Sequence, residues 1–329
     1  MPDHVFRPSR RRFLKGAAAM GSLLLVSPAL ALAGDGFYQQ TALFMGTIVR
    51  IHVYGCPAGL AEQACAEAFA EGRRLEALLT RHASDSPLGV LNAQGSLRDV
   101  PAPLAEVLAM SGGIHALSSG AFDPTVLPVL ELLESTAGGA RPSAQEFARR
   151  REKVGFGKIG MGSGIRLQSG MSITLDGIAK GYVAQKMGDA LLARGCADYL
   201  VNAGGDIIAH GRAAGGRPWQ VAIEDPAHGR SYPAVIGLKG GALATSGVYE
   251  KPFALDNGSH LIDPYGPAAT EAVSVSVLAD DGARADALAT AFSVMRPADA
   301  LALARRLEGI EAYFVLRGGV AKKTAGWPA

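Results

Sequence analysis

The chain has 329 residues, with 32 bases against 30 acids and 48% apolar residues. That balance excludes a disordered or highly charged protein, because it supplies ample apolar surface for a core. The 42 glycines and 18 prolines favour many short elements joined by tight turns over a long helical bundle.

The N-terminus reads as an address. Arg7, Arg10, Arg11, Arg12 and Lys15 precede an apolar stretch from Gly16 to Ala33 that ends Ala31-Leu32-Ala33. Paired arginines ahead of Phe13-Leu14-Lys15 form the twin-arginine export pattern. A membrane anchor is the competing reading, but Gly16, Gly21 and Pro28 interrupt a run already short for a span of about 20 apolar residues. The expectation is a cleavable leader over 1–33, one domain over 34–329, and a periplasmic location. Without the leader, five bases and one acid are lost and the net charge of +2 becomes −2. A basic character confined to the leader gives no support to a nucleic-acid partner. Twin-arginine export carries folded proteins, which makes a cofactor plausible. The three cysteines (Cys56, Cys65, Cys196) lack metal-type spacing and read as buried small residues.

Along the mature chain, Ile48, Ile51 and Val53 with their neighbours, within Leu43 to Tyr54, read as a strand and Gly59 to Leu79 as a helix. Pro103 to Leu117 is a second helix. Ser143 with Glu146 forms a capping box ahead of a third, and Gly177 to Arg194 is a fourth. Strands are expected at 199–201, 206–210, 219–223, 234–238, 272–278 and 312–316, with helices at 284–294 and 298–307. The mixture lacks strict βαβ alternation, so the fold class is α+β.

Five segments carry candidate chemistry. Gly120-Ala121-Phe122-Asp123-Pro124-Thr125 is a rigid loop presenting a carboxylate and an aromatic face, or a helix-ending turn with Phe122 in the core. Thr174 to Tyr182 runs from a strand (Ile173 to Leu175) through a Gly turn into a helix. There, unpaired N–H groups and Lys180 suit phosphate oxygens, although Asp176 as a plain N-cap explains the segment equally. Asn202-Ala203-Gly204-Gly205-Asp206 permits close ligand approach, or is a β-turn. Ala244 to Tyr249 and His260 to Pro264 look like loops at strand ends; Ser246 and His260 lack the Gly-x-Ser-x-Gly elbow of a hydrolase. Asp286 and Thr290, four apart, project hard oxygens of the kind Mg²⁺ takes from one helix face, or are an N-terminal Asp and a buried Thr.

The order of these segments, together with Met45-Gly46-Thr47 and Ser86 to Asn92, resembles the ApbE family of FAD:protein FMN transferases over Met45 to Val315. The resemblance implies a single T-fold-like domain, a mixed and mainly antiparallel sheet flanked by helices. It implies Mg²⁺-dependent attack of a target Ser/Thr hydroxyl on the FMN phosphorus of FAD, with AMP leaving. It places FAD contacts at Met45, His82, Ala121, Phe122, Asp123, Thr174, Lys180 and Leu261. The metal falls to the Gly177 carbonyl, Asp286 and Thr290, and the base to His260 or Asp286. Two departures stand out. His82 occupies a family tyrosine position, and Thr174 replaces a family aspartate while Asp176 brings a carboxylate two positions later. Members linked to nitrous oxide respiration look similar here. The implied acceptor is an exported or membrane flavoprotein, including the one that assists nitrous oxide reductase. The competing functions are a non-catalytic FAD-binding maturation factor and a periplasmic FAD pyrophosphatase.

Overall fold

The computed structural model describes residues 30–34, 36–135, 142–226, 232–247 and 271–328. Residues 1–29 of the expected leader lie outside these, as do His260, Leu261 and the rest of 248–270.

The strands are β1 (Leu30–Gly34), β2 (Phe37–Phe44), β3 (Thr47–Tyr54), β4 (Ser96–Leu97), β5 (Gly160–Met161), β6 (Ile165–Arg166), β7 (Asp198–Ala203), β8 (Asp206–His210), β9 (Trp219–Ala222), β10 (Val235–Leu238), β11 (Gly240–Gly247), β12 (Ala272–Ala279), β13 (Glu311–Leu316) and β14 (Ala321–Lys323). The helices are α1 (Ala58–Leu79), α2 (Pro87–Gln94), α3 (Ala102–Leu117), α4 (Leu127–Ser135), α5 (Ala144–Arg151), α6 (Ala179–Ala193), α7 (Gly282–Val294) and α8 (Pro297–Ala304). Nine strands form one sheet in the order β1-β2-β3-β7-β8-β11-β12-β13-β14, and its pairings are antiparallel. The α+β, mainly antiparallel expectation holds.

Alternation along the strands buries both faces. Val201, Ile208, Ala244 and Phe314 join Val49, Ile51 and Val53 under α1, α6 and α7. Their neighbours Leu200, Ile207, Leu243, Tyr313 and Val315 pack on the other face against the β9–β10 hairpin and Trp327. Among the described residues no helix is long and apolar enough to cross a membrane.

Several boundaries differ from those expected. The segment Leu43 to Tyr54 is two strands, because Met45 (φ 53°) and Gly46 (φ 66°) turn the chain between the paired residues Phe44 and Thr47. Ile173 to Leu175, expected as a strand, joins no ladder. Its backbone is satisfied by the Asn92 amide, which exchanges two hydrogen bonds with Ile173 (2.7 and 2.8 Å), and by the Pro124 carbonyl, which accepts from the Thr174 N–H at 2.8 Å. Residues 244–247 form the end of β11 rather than a loop. The capping box at Ser143 and Glu146 is present. Residues 30–33, within the expected leader, belong to β1 at the outer edge of the sheet, so a cut after residue 33 would leave β2 as that edge.

Candidate active site

Two helix starts meet at a pair of glycines. A Cβ on Gly181, in the first turn of α6, would collide with the Gly282 carbonyl oxygen at the start of α7. Only glycine permits that approach. It brings the Gly181 N–H to the Asp286 carboxylate, which accepts at 3.0 Å. Asp286 is buried, at 3% exposure. One turn further along α7, the Thr290 hydroxyl donates to the Gly177 carbonyl at 3.4 Å, and Ser246 Oγ on β11 lies 3.4 Å from the same hydroxyl. A Cβ on Gly177 would sit 2.8 Å from Thr290 Oγ1, so this turn too is closed to side chains. Gly177, more than a hundred positions before Asp286 and Thr290 in sequence, therefore comes to lie beside the α7 turn that carries both.

The donor set is a carboxylate, a main-chain carbonyl and a hydroxyl. All are hard oxygens carrying one negative charge, which fits Mg²⁺. Among the described residues no group of three His, Cys, Asp or Glu side chains could hold a metal.

Lys180 ion-pairs with Asp206, whose carboxylate is buried while the lysine is one-third exposed. Asp206 sits at the hairpin of Gly204 (φ 68°) and Gly205 (φ 109°) between β7 and β8. This joins the second and third candidate segments and gives the glycine pair its job: a two-residue turn with both φ positive. A Cβ on Gly204 would also strike Thr47, so the Met45-Gly46 turn packs against this hairpin. Met45 itself is pinned by Glu76, which accepts its N–H at 2.7 Å.

The Phe122-Asp123 loop departs from the expected presentation of a carboxylate. Asp123 is buried and spends its oxygens inward. It accepts from the Thr125 N–H (2.9 Å), the Thr125 hydroxyl (2.6 Å) and the Phe156 N–H (3.1 Å), with His115 Nδ1 at 3.5 Å. Phe122 is buried as well, leaving half-buried Ala121 as the more open member of this trio. Asp176 is not a helix N-cap: α6 starts after Ile178 without a side-chain cap. Its carboxylate instead accepts from Arg81 Nε at 3.0 Å, and Arg81 also reaches Glu134 at 2.9 Å. The replacement residue Thr174 is buried and its hydroxyl accepts the Asp176 N–H at 3.2 Å, so it shapes the same turn. His82 is exposed beside Arg81, on a cleft of about 490 Å³ that also includes Asn92 and Met171.

Sequence reasoning missed Arg81 and, although Asp206 closes a candidate segment, its pairing with Lys180. Each link is visible only through a partner distant in sequence. Gly181, next to Lys180, was the available signal, since a glycine inside a helix start implies close approach.

The chain matches the model of the ApbE family over residues 45–314. A protein of Treponema pallidum named FAD:protein FMN transferase is 31% identical, the alignment covering 88% of this chain and 87% of that one. A Klebsiella pneumoniae protein of the same name is 28% identical, covering 94% of each. Among solved structures, the apo form of the Pseudomonas stutzeri flavinyl transferase ApbE superposes with a TM-score of 0.77 at 31% identity, covering 90% of this chain and 98% of that one. The ApbE protein of Thermotoga maritima gives 0.78 at 28% identity, covering 88% and 97%.

Proposed function

We propose a function from one premise: this chain belongs to the ApbE family. Like the relatives named FAD:protein FMN transferase, it is an enzyme that moves FMN from FAD to an acceptor flavoprotein. A Ser/Thr hydroxyl of the acceptor attacks the FMN phosphorus, an O–P bond forms, the diphosphate bridge breaks, and AMP leaves with the bridging oxygen.

The convergence of Gly177, Asp286 and Thr290 carries this reading, because phosphoryl transfer needs hard oxygens placed beside a diphosphate. These three groups would hold Mg²⁺, which when bound supplies charge neutralisation on the diphosphate. Lys180, paired with Asp206 yet one-third exposed, offers its ammonium to the same phosphates. Met45, His82, Ala121, Phe122, Thr174 and Leu261 contact FAD; with its carboxylate turned inward, Asp123 serves through the loop it holds rigid. Asp286 already accepts the Gly181 N–H, which favours a ligand role and leaves His260 to take the hydroxyl proton. The twin-arginine pattern supports export to the periplasm, and so an exported or membrane flavoprotein as acceptor.

Incubation with FAD, Mg²⁺ and an acceptor domain tests the proposal. The acceptor should gain the mass of one FMN less one water, with one AMP per adduct. Free FMN in place of adduct would assign the site to FAD hydrolysis. Bound FAD recovered intact with every acceptor would overturn catalysis.

A further inference from the structure

The main-chain oxygen of the candidate metal site sits on a segment that no strand ladder holds. From Ile173 to Asp176 the backbone hangs on other groups: Ile173 on the Asn92 amide, the Thr174 N–H on the Pro124 carbonyl, and the Asp176 N–H on the Thr174 hydroxyl. Gly177, which supplies the oxygen, comes next. Asp286 and Thr290 are placed differently, since both ride on α7, an almost wholly buried helix that fixes their spacing. The distance between the two halves of the site is therefore set by the turn at Asp176 and Gly177. Arg81, just beyond the C-terminal end of α1, grips that turn. Its Nε donates to the Asp176 carboxylate at 3.0 Å, and its Nη2 donates to Glu134, on α4, at 2.9 Å. One planar fork thus answers carboxylates on two separate elements, which fixes its direction as a lysine could not.

We propose that Arg81 is a positioning residue for the metal, a role that rests on the metal reading given above: through Asp176 it keeps the Gly177 carbonyl where that oxygen completes the site with Asp286 and Thr290. Mg²⁺ tolerates little misplacement, because its oxygens lie at about 2.0–2.1 Å in near-octahedral geometry. The Asp176 side chain is 43% exposed, so the ion pair contributes little to stability. Its consequence is the place of the turn. Charge alone would move variants of the two partners in opposite directions. Without the Arg81 cation a nearby divalent ion would bind more tightly, and without the Asp176 anion more weakly. Positioning predicts that the loss of either partner weakens it.

The test is Mn²⁺ binding to the full-length protein loaded with FAD, followed by the electron paramagnetic resonance of the free ion. Wild type should bind the ion and Asp286→Asn should not. Arg81→Met and Asp176→Ala should each weaken binding about tenfold or more. Glu134→Gln keeps an oxygen for the Arg81 Nη2 and leaves the contact with Asp176 intact, so its affinity should stay within about twofold of wild type. The Mg²⁺ needed for half-maximal flavin transfer should rise in step with the Mn²⁺ shift, and the rate at saturating Mg²⁺ should hold. An affinity unchanged or raised by Arg81→Met, a loss in that variant without one in Asp176→Ala, or an equal loss in Glu134→Gln would each overturn the role. Mn²⁺ bound as tightly by Asp286→Asn as by wild type would remove the metal reading itself, and the role with it.

Discussion

Arg81 and Asp176, 95 positions apart, meet through a guanidinium–carboxylate contact of 3.0 Å that fixes the turn leading into Gly177. The arginine side chain is 8% exposed and the aspartate 43%, so the pair straddles the boundary between core and solvent. A double-mutant cycle with Arg81→Gln and Asp176→Asn, read by urea unfolding, should give a coupling of about 1 kcal/mol. A coupling indistinguishable from zero would mean that Glu134 alone holds the arginine.

Gly177→Ala places a methyl group 2.8 Å from Thr290 Oγ1 and 3.0 Å from Thr290 Cγ2. Something must shift, at a cost of roughly 1–3 kcal/mol. Flavin transfer should fall at least tenfold, because the carbonyl and the hydroxyl are displaced together. Gly113→Ala is the control: it meets nothing within 4 Å in the interior of α3. That variant should be more stable by up to about 1 kcal/mol, with activity unchanged. Thermal unfolding and initial rates of both variants check the contrast.

The two halves of the Lys180–Asp206 pair differ in exposure, and their variants should differ accordingly. Lys180→Met leaves the Asp206 carboxylate buried without its ammonium and should cost about 3 kcal/mol. Asp206→Asn leaves a lysine that can turn toward water, and should cost about half as much. Urea midpoints in the reverse order would contradict this burial argument.

The Tyr182 hydroxyl donates to Glu106 at 2.7 Å and Lys186 donates at 3.0 Å, tying α6 to α3. These two donors, the tyrosine foremost, hold the Glu106 carboxyl below the ordinary carboxylate range. A depressed folded pKa contributes stability above the unfolded pKa and loses it as pH falls through the folded one. The stability gap between wild type and Glu106→Gln should therefore be widest near neutral pH, at about 1 kcal/mol or less for this half-exposed group, and close on acidification. A gap independent of pH from 7 to 3 would refute the assignment.

How far the sequence told this story depended on how local each signal was. The helix α1 shows its buried stripe as Ala61, Ala64, Cys65, Ala68, Phe69, Gly72 and Leu75, a helical spacing visible without coordinates. The Met45-Gly46 turn was hidden because methionine rarely takes a positive φ, and strand-like residues flank it on both sides. The helix α4 carries Leu127, Val129, Leu130, Leu132 and Leu133, a nearly continuous buried run without the polar intervals that reveal periodicity. At the site, Asp286 and Thr290 were legible as i, i+4 neighbours. The partnership of Lys180 with Asp206, and of Arg81 with Asp176, is a property of the folded chain, because both join residues that only the sheet and the α1–α6 pairing bring together.

The most direct measurement is FMN transfer to an acceptor domain by wild type and Asp286→Asn, across a Mg²⁺ titration and with FAD binding measured in parallel. The wild type should require the ion and add one FMN per acceptor. The variant should still bind FAD but transfer at least a hundredfold more slowly at any Mg²⁺ concentration. Equal transfer by the two, or undiminished transfer in excess chelator, would contradict a metal held by Gly177, Asp286 and Thr290.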